Sequence, residues 1–422
     1  MSTAKEPLPR SRRQGPGVRR DAARVSAVLF VCLFAGQAGA IALSPVLVEV
    51  ARDLDVSTAT AGQLRTVAGL AAGITALALG RLGARVPLGR QLLVGSSLLA
   101  LGSLASAAAP SFGWLAAAQI PVGAGIAILT TAGTLAAAEW VPAERRASTL
   151  SWVLIGQPAA WIVGMPLLGA AGERSWRYTW LVLPLATALV AAVGVAVAGR
   201  GRGSKASTAP PGMRAAFEAA GVRRWLWAEV LANSAWAGTL VYAGVLFVES
   251  YGASSAAAGG LLAVGAGAYV SGNLAFRRRI GREPMRLLVR LSALLAVATA
   301  LFGAFRPALP VSVALFSIAA FAAGGRTLTS STFGLSVAPD VRQAAMAMRA
   351  ASMQFGYFTG SFAAGAALGA GGYPALGVTI GALFASSSIV LCRSTVRSDD
   401  AAAALPLRRK VPLISESVVG RR

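Results

Sequence analysis

Three of the charged side chains inside apolar runs of the sequence stand out, because a charge there needs either a function or a partner. Arg326 follows two glycines in the middle of one run, Arg349 lies about two turns into the next, and Glu229 lies about one turn into an earlier run. The planar fork of a guanidinium fits a carboxylate or a phosphate. We therefore predict that Arg326 contacts an anion, either a bound molecule or Glu229. Glu229 and Arg349 are predicted to couple ion movement or to form an ion pair. For Arg349 the alternative is that its side chain extends to the inner membrane surface.

Neutral polar and aromatic side chains on the apolar runs form a second group. They are Gln37, Gln157, Asn233, Trp236, Gln354 and Tyr357. Such groups give a pocket its few directional contacts, so we predict that they bind a small molecule together with Arg326. A hydrogen bond between two helices would account for any one of them equally well. Arg65, about one turn into its run, is expected to extend towards the membrane surface and to serve structure.

The sequence offers little for other kinds of chemistry. It has no histidine, and its two cysteines, Cys32 and Cys392, lie far apart in apolar segments, which argues against a metal site or a disulfide framework. Gly-x-Gly triplets such as Gly123-Ala-Gly125 lie inside apolar runs with no preceding strand, so they are not nucleotide-binding loops. We expect no cofactor, no metal and no enzymatic activity.

The composition places these residues in a membrane. Hydrophobic residues make up 55% of the chain, charged residues 13%, and the mean hydropathy is +0.64, whereas a soluble domain carries about 25% charge. Runs near the ~20 residues that span a bilayer occur twelve times. They cover residues 26–48, 60–79, 91–109, 113–138, 148–170, 177–198, 226–248, 256–275, 287–305, 309–336, 344–369 and 374–392. The predicted fold is all-α integral membrane, with twelve transmembrane helices in two six-helix pseudo-symmetric bundles.

The basic residues set the predicted orientation. A formal net charge of +23 would suggest a nucleic-acid partner for a soluble protein. Here the Arg and Lys residues cluster in the tails and at alternate connections, which marks the cytoplasmic side, so no nucleic acid is expected. We predict a cytoplasmic basic tail over 1–24, bundles over 25–198 and 225–392, a cytoplasmic linker over 199–224 and a cytoplasmic tail over 393–422. The protein is thus a multi-pass protein of the cytoplasmic (inner) membrane with both termini inside.

A basic turn recurs at corresponding places in the two halves. Gly, Leu, Arg, Gly and Arg stand at the same relative positions in two copies that are 192 residues apart (272 − 80). The first copy has Gly80, Leu82, Arg85, Gly89 and Arg90, and the second has Gly272, Leu274, Arg277, Gly281 and Arg282. Gln157 and Gln354 correspond at a similar offset of 197 (354 − 157). Such duplication around a central site is typical of secondary transporters, and we predict that the two turns are gating loops.

The first turn resembles the motif between the second and third helices of the major facilitator superfamily, Gly-x-Leu-Ala-Asp-Arg-x-Gly-Arg-Arg. Gly80, Leu82 and Arg85 match it, whereas Ala84 replaces the Asp and Pro87 stands where a Gly belongs. That Asp takes part in a charge relay in the family, so this chain is expected to lack the usual gating network. In the family's span 4 motif, Arg-x-x-x-Gly-x-Gly, Gly123 and Gly125 match, but Gln119 replaces the Arg that is associated with proton coupling in drug exporters. The glycines and prolines of 156–169 resemble the antiporter motif of drug–proton exchangers without its contiguous Gly-Pro. Ser175-Trp176-Arg177-Tyr178 and Leu43-Ser-Pro-Val46 are similar to segments of bacterial drug and arabinose efflux permeases.

The resemblance implies a secondary active transporter that moves a small organic molecule by alternating access, as a monomer in the lipid bilayer. In the family, helices 1, 4, 7 and 10 line the central cavity, which favours Gln37, Asn233 and Arg326 as substrate contacts. The efflux-type segments imply proton-coupled efflux, for which Glu229 is the candidate proton carrier. The alternative is an uptake carrier or facilitator for an anionic metabolite, because Arg326 and Arg349 outnumber the carboxylates inside the runs.

Overall fold

The computed structural model describes residues 16–82, 85–141, 146–198, 213–277 and 284–403, and within these ranges the chain is helical and has no strand. Eleven helices of this described part are long and apolar enough to cross a membrane. The last one, Ala344–Cys392, has 49 residues, more than twice the ~20 that a bilayer requires. Its backbone is not helical at Gly371 and Gly372, so it crosses twice. The described chain therefore makes twelve crossings, as predicted.

The crossings are numbered here in chain order. Spans 1 to 6 form the N-terminal half and are Pro16–Ile41, Thr58–Leu82, Leu88–Ala107, Phe112–Glu139, Thr149–Gly172 and Trp176–Ala198. Spans 7 to 10 are Val222–Tyr251, Ser255–Phe276, Pro284–Ala304 and Leu309–Ser336. Spans 11 and 12 are the parts of Pro339–Ala403 before and after its glycine break.

Glycines bring the helices together, and the two halves use them alike. A Cβ on Gly123 of span 4 would clash with the Ala68 carbonyl of span 2, and a Cβ on Gly324 of span 10 would clash with the Tyr269 carbonyl of span 8. The second contact follows the first by 201 positions (324 − 123 and 269 − 68). Helices in lipid associate through close van der Waals packing, which small residues permit. The same helix contact in both halves is what a duplicated six-helix unit would produce.

The first predicted run, 26–48, is too long at its end. Its helix stops at Ile41, residues 42–46 form a turn, and a separate short helix, Leu47–Asp53, follows. Pro45 lacks the N–H that would continue the helical hydrogen-bond ladder, and its ring restricts the residue before it. The apolar run therefore includes a connection as well as a span.

The predicted tails and linker also contain helix. Span 1 begins at Pro16, inside the predicted tail 1–24, and the last helix continues to Ala403. Residues 199–212 of the predicted linker lie outside the described part, but a short helix, Met213–Glu218, packs Ala216 against the C-terminal half. Residues 404–422 lie outside the described part as well.

The two halves meet at one end of the bundle. This end carries the connections between spans 1 and 2 and between spans 7 and 8, and we name it the outer end, following the predicted orientation. A Cβ on Gly169 of span 5 would clash with the Ser255 carbonyl of span 8, and one on Gly244 of span 7 would clash with the Ser44 carbonyl. Nearer the opposite, inner end, a Cβ on Gly73 of span 2 would meet no heavy atom within 4 Å. The halves therefore touch from the outer end to mid-membrane, where a Cβ on Gly69 of span 2 would lie 3.0 Å from the Phe358 nitrogen of span 11, while Gly73, one turn further in, adjoins open space.

Candidate functional site

The charged centre of the C-terminal half is a buried ion cluster built from three spans. Glu229 of span 7 accepts a hydrogen bond from Arg326 Nη1 of span 10 at 2.7 Å and one from Arg349 Nε of span 11 at 3.0 Å. The exposed fractions of the three residues are 1%, 5% and 9%. Charges this far from water need both pairing and hydrogen bonds, and each oxygen of the carboxylate has its own arginine.

Arg326 is fully engaged by protein groups. Its Nε donates to Ser292 Oγ at 3.0 Å, and its Nη2 donates to the Ala228 carbonyl at 3.2 Å and to Ser387 Oγ at 3.3 Å. With Nη1 on Glu229, each of its three nitrogens has an acceptor. The side chain thereby joins spans 7, 9, 10 and 12. Of the two anions predicted for Arg326, a bound molecule or Glu229, the structure brings Glu229 to it.

Arg349 is engaged less completely. Its Nε also donates to Ser330 Oγ at 3.2 Å, and that hydroxyl accepts a bond from Trp225 Nε1 at 2.9 Å. Neither terminal nitrogen of Arg349 makes a hydrogen bond to the described residues. Two arginines against one carboxylate leave the cluster with one net positive charge.

Arg65 is a further arginine within a span, and it lies between the halves. Its position, seven residues after the start of span 2, is about 10 Å from the outer end of that helix. Its guanidinium carbon lies 5.3 Å from the ring centroid of Tyr357 in span 11. Arg65 was expected to extend towards the membrane surface, but its head group instead contacts an aromatic ring of the opposite half.

Half-buried aromatic and amide groups lie on the same side of the C-terminal half. Trp236 of span 7 stacks on Tyr269 of span 8, with ring centroids 6.2 Å apart and planes at 22°. Asn233 Nδ2 donates to the Glu229 carbonyl at 2.7 Å, which leaves its oxygen as an acceptor. Gln354 has no hydrogen-bond partner within the described ranges. Tyr357 lies within electrostatic range of Arg65, Tyr269 and Arg349.

The two predicted glutamines of the N-terminal half are also half-buried. Gln37 lies in span 1 and Gln157 in span 5, and neither side chain has a hydrogen-bond partner in the part of the chain that the structure describes. Gln157 precedes a π-helical segment, Ala160–Gly164, and such widened turns are common at functional sites. The donors and acceptors of these two amides are thus not used by the described chain, and their role in binding stays a prediction.

The structure separates the predicted gating turns into helical and exposed parts. Gly80 lies in the last turn of span 2 and Gly89 is buried in the first turn of span 3, whereas Arg85 is exposed between them. In the second copy Gly272 lies inside span 8, where a Cβ would clash with the Phe321 carbonyl of span 10. Gly272 is thus a helix-packing residue and not part of a loop.

The second turn also includes Arg277 and Gly281. Arg277 is exposed at the end of span 8, and Gly281 lies outside the described residues. Whether the turns take part in gating stays a prediction. Groups of three or more His, Cys, Asp or Glu that would suit a metal ion do not occur among the described residues.

Three hydrogen bonds join the halves within the described ranges, and all lie towards the outer end. Tyr242 of span 7 donates to the Ala59 carbonyl of span 2 at 3.2 Å. Gln63 Nε2 donates to the Phe362 carbonyl at 3.5 Å, and Ser255 Oγ donates to Glu49 Oε1. The other Glu49 oxygen is buried and has no partner. Because these bonds cross the junction of the halves, they must break if the outer end opens.

Each half is closed at its outer end by an acid, an aromatic ring and an arginine. In the N-terminal half Asp53 accepts from Trp176 Nε1 at 3.0 Å and from Arg177 Nη1 at 2.6 Å. These two bonds hold the pKa of the Asp53 carboxyl below its ordinary value. The corresponding group in the C-terminal half consists of Glu249, Tyr373 and Arg306. Glu249 accepts a hydrogen bond from the Tyr373 hydroxyl at 2.7 Å, and Arg306 lies over the Tyr373 ring at 5.0 Å.

The comparisons with known proteins agree with this architecture. A model of the Major Facilitator Superfamily matches residues 29–340, more than half of the chain. A curated relative, the uncharacterized MFS-type transporter YbcL of Bacillus subtilis (strain 168), is 26% identical over 125 residues, which are 30% of this chain and 32% of the relative. The match thus spans about a third of that relative's length.

Solved transporters share the fold at low sequence identity. The D-xylose-proton symporter has a TM-score of 0.72 over 87% of this chain and 97% of its own. The nucleoside transporter NupG has a TM-score of 0.68 over 89% and 99%. A bacterial homologue of the human lysosomal transporter Spinster, inward-facing and unoccupied, has a TM-score of 0.65 over 92% and 96%. All three are 14% identical to this chain, so they show the fold alone.

Proposed function

The chain belongs to the Major Facilitator Superfamily, and from this premise we propose that it is a secondary active transporter that carries a small organic molecule by alternating access. The observation that carries the proposal is the one-sided contact between the halves. Bonds such as Ser255 to Glu49 and Tyr242 to Ala59 lie at the outer end, while the space beside Gly73 is open. Two rigid halves whose hydrogen bonds to each other lie towards one end can exchange that contact for one at the other end.

The proposed binding site lies between the halves at mid-membrane depth. Its amide contacts are Gln37, Gln157 and Gln354, which have no partner within the described ranges, joined by the free oxygen of Asn233. The aromatic contacts are Trp236, Tyr269 and Tyr357. Arg326 already has an acceptor on each of its three nitrogens, so it fixes the neighbouring helices in place. In this proposal it contacts the substrate only if its bond to Glu229 breaks.

Each half must stay rigid during this exchange, and in the C-terminal half the ion cluster provides that rigidity. The ion cluster around Glu229 joins spans 7, 10 and 11, and Arg326 adds spans 9 and 12. Glu229 and Arg326 have a hydrogen-bond partner on every oxygen or nitrogen of their head groups, and buried polar groups satisfied in this way fix one arrangement of the helices that they join. We propose that the cluster makes the C-terminal half move as one body.

Proton-coupled efflux is the first candidate for direction and driving force, with Glu229 and Arg349 as the coupling pair. In proton-coupled efflux, protonation of Glu229 would break its bonds to both arginines, and Arg326 and Arg349 would become available to the substrate. Uptake or facilitated movement of an anionic metabolite is the second candidate. The excess of positive charge within the spans favours this second candidate. Arg65, Arg326 and Arg349 outnumber Glu229, the one carboxylate of the described ion cluster.

The orientation belongs to the same proposal. Arg85, Arg277 and the exposed Arg223 lie at the inner ends of their spans, which agrees with an inner end that faces the cytoplasm. The protein would then sit in the cytoplasmic membrane with both termini inside, as a monomer.

Metabolite profiling tests the proposal. Cells that express the chain and cells that do not are compared by mass spectrometry of extract and medium, with and without a protonophore. Efflux predicts a compound that leaves the expressing cells only while the proton gradient stands. Uptake or facilitation predicts a compound that accumulates inside. An unchanged profile, with the protein present in the membrane in normal amounts, would contradict a transport function.

A further inference from the structure

Arg65 is an intramembrane cation that lacks a counter-ion. Its one contact within the described residues is the face of Tyr357, and no carboxylate or hydrogen-bond acceptor of the described chain reaches its guanidinium. Glu229, the buried carboxylate of the neighbouring cluster, already has an arginine on each oxygen. Arg65 therefore has five N–H donors and a full charge without a protein acceptor.

The aromatic contact does not compensate for this. A cation over a tyrosine ring recovers only part of the hydration that a guanidinium loses inside a membrane, and it satisfies none of the N–H donors. Arg349 adds a second positive charge near the Tyr357 hydroxyl. The space between Arg65 and the C-terminal half is consequently a region of unbalanced positive charge, which an anion would neutralise.

We propose that Arg65 and Tyr357 form the binding site for the anionic group of the transported molecule, a carboxylate or a phosphate. Arg65 presents its fork to the two anionic oxygens, and Tyr357 holds the guanidinium in place from the other half. The site takes one group from each half, so the anion is bound where the halves meet. This assignment rests on the proposed transport function and names the class of its substrate.

The side chains near Arg65 indicate the chemistry of the rest of the transported molecule. The stacked rings of Trp236 and Tyr269 offer a flat apolar surface, and Gln354 offers an amide with no partner in the described ranges. A flat apolar body with one anionic group fits these contacts, and an aromatic carboxylate is the simplest such compound. Benzoate is therefore the probe, benzamide its neutral counterpart of equal shape, and phenyl phosphate the second anion.

The test measures thermal unfolding of the purified full-length protein in detergent with each probe. Wild type should be stabilised by benzoate or phenyl phosphate and not by benzamide. Arg65→Met should lower the apparent affinity for the stabilising anion at least about tenfold, the effect of losing one charge-assisted hydrogen bond. Arg52→Met removes an exposed arginine near the outer end and should leave the affinity unchanged.

The unliganded variants separate binding from a structural role. A cation without a counter-ion opposes folding, so Arg65→Met should unfold without ligand at the temperature of wild type or above it. A lower unfolding temperature would show that Arg65 serves structure and would overturn the proposal. Retention of the anion effect in Arg65→Met would also overturn it, as would a wild type that neither anion stabilises more than benzamide does.

Failure of the anion site and failure of the transport function give different results. A cysteine at Gln37, in a variant without Cys32 and Cys392, reports access to the space between the halves and does not depend on Arg65. Labelling of this cysteine from one side of the membrane, combined with no anion effect, would reject the anion site and leave alternating access standing. Absence of labelling from either side would reject the cavity itself.

Discussion

Replacing Glu229 with glutamine should destabilise the C-terminal half more than replacing either of its arginines. The carboxylate is 1% exposed and bonds Arg326 at 2.7 Å and Arg349 at 3.0 Å. Glu229→Gln leaves two buried cations without a counter-charge. Removing one partner of a buried ion pair costs about 3–5 kcal/mol, which corresponds to a shift of about a hundredfold to a few thousandfold towards the unfolded state.

The double variant Glu229→Gln/Arg326→Met distinguishes this reasoning from a simple loss of packing. It keeps one cation, Arg349, instead of two, so it should be more stable than Glu229→Gln alone. Arg326→Met by itself leaves the neutral pair of Glu229 and Arg349 and should be intermediate between wild type and Glu229→Gln. The coupling of the two substitutions, and not either cost alone, measures the ion pair.

The assay is unfolding in detergent, by heat or by titration with dodecyl sulfate, together with the amount of protein in the membrane. Glu218→Gln is the matched control, because the pair of Glu218 and Arg214 is exposed (61% and 92%) and such pairs contribute only about 0–1 kcal/mol. Wild-type stability of Glu229→Gln, or a double variant that is less stable than Glu229→Gln, would refute the account of the cluster.

Three further predictions concern the outer end and the orientation. Ser255→Ala removes the hydrogen bond that Glu49 accepts from Ser255 across the junction of the halves, so it should increase the rate at which an impermeant maleimide labels a Gln37→Cys reporter from the outer side. An unchanged rate would show that this bond does not hold the outer end closed. Asp53 has a lowered pKa, so its contribution to stability is complete above the ordinary carboxyl pKa of about 4 and is lost as the pH falls through the lowered value; thermal unfolding between pH 5 and 2 should therefore show a steeper acid decline in wild type than in Asp53→Asn. Reporter fusions after residues 210 and 400 should both indicate a cytoplasmic location, and an external signal from either would reject the proposed orientation.

The number of crossings followed from the sequence because it depends on run length alone. Twelve apolar runs became twelve crossings, including two that share one long helical segment. The ends of the runs were less accurate, since hydropathy does not register the backbone. Pro45 interrupts the first run although most residues around it are apolar. The break between spans 11 and 12 depends on the backbone of Gly371 and Gly372.

The candidate site was predictable only where charge itself was the signal. Opposite charges in apolar runs identified Glu229 and Arg326 as possible partners, and the structure brings them together. Arg65 was assigned to the surface from its distance to the helix end, which ignores the direction of its side chain and the opposing Tyr357. Glu49 was not considered, because it follows an apolar run at a predicted boundary, and only its contact with Ser255 reveals it.

A repeated sequence position does not fix a repeated environment. Gly272 corresponds to Gly80 in the sequence, yet it is a packing residue inside span 8, against the Phe321 carbonyl. The packing contacts of Gly123 and Gly324 were a clearer sign of duplication. They depend on backbone approach between helices, for which the sequence gives no distance.

The central claim is that two halves, closed at the outer end, give access to a shared cavity from the inner end. A disulfide between Ala59→Cys and Gly369→Cys tests it directly, in a variant that carries Cys32→Ala, Cys392→Ser and the reporter Gln37→Cys. A Cβ on Gly369 would lie 3.5 Å from the Ala59 Cβ, within the ~3.5–4.5 Å of a disulfide.

The account predicts that oxidation in native membranes forms the disulfide. It also predicts that the cysteine at position 37 then reacts with an impermeant maleimide from the inner side only, and that reduction restores reaction from the outer side. Failure of the disulfide to form, or labelling from the outer side while the disulfide is intact, would contradict the account.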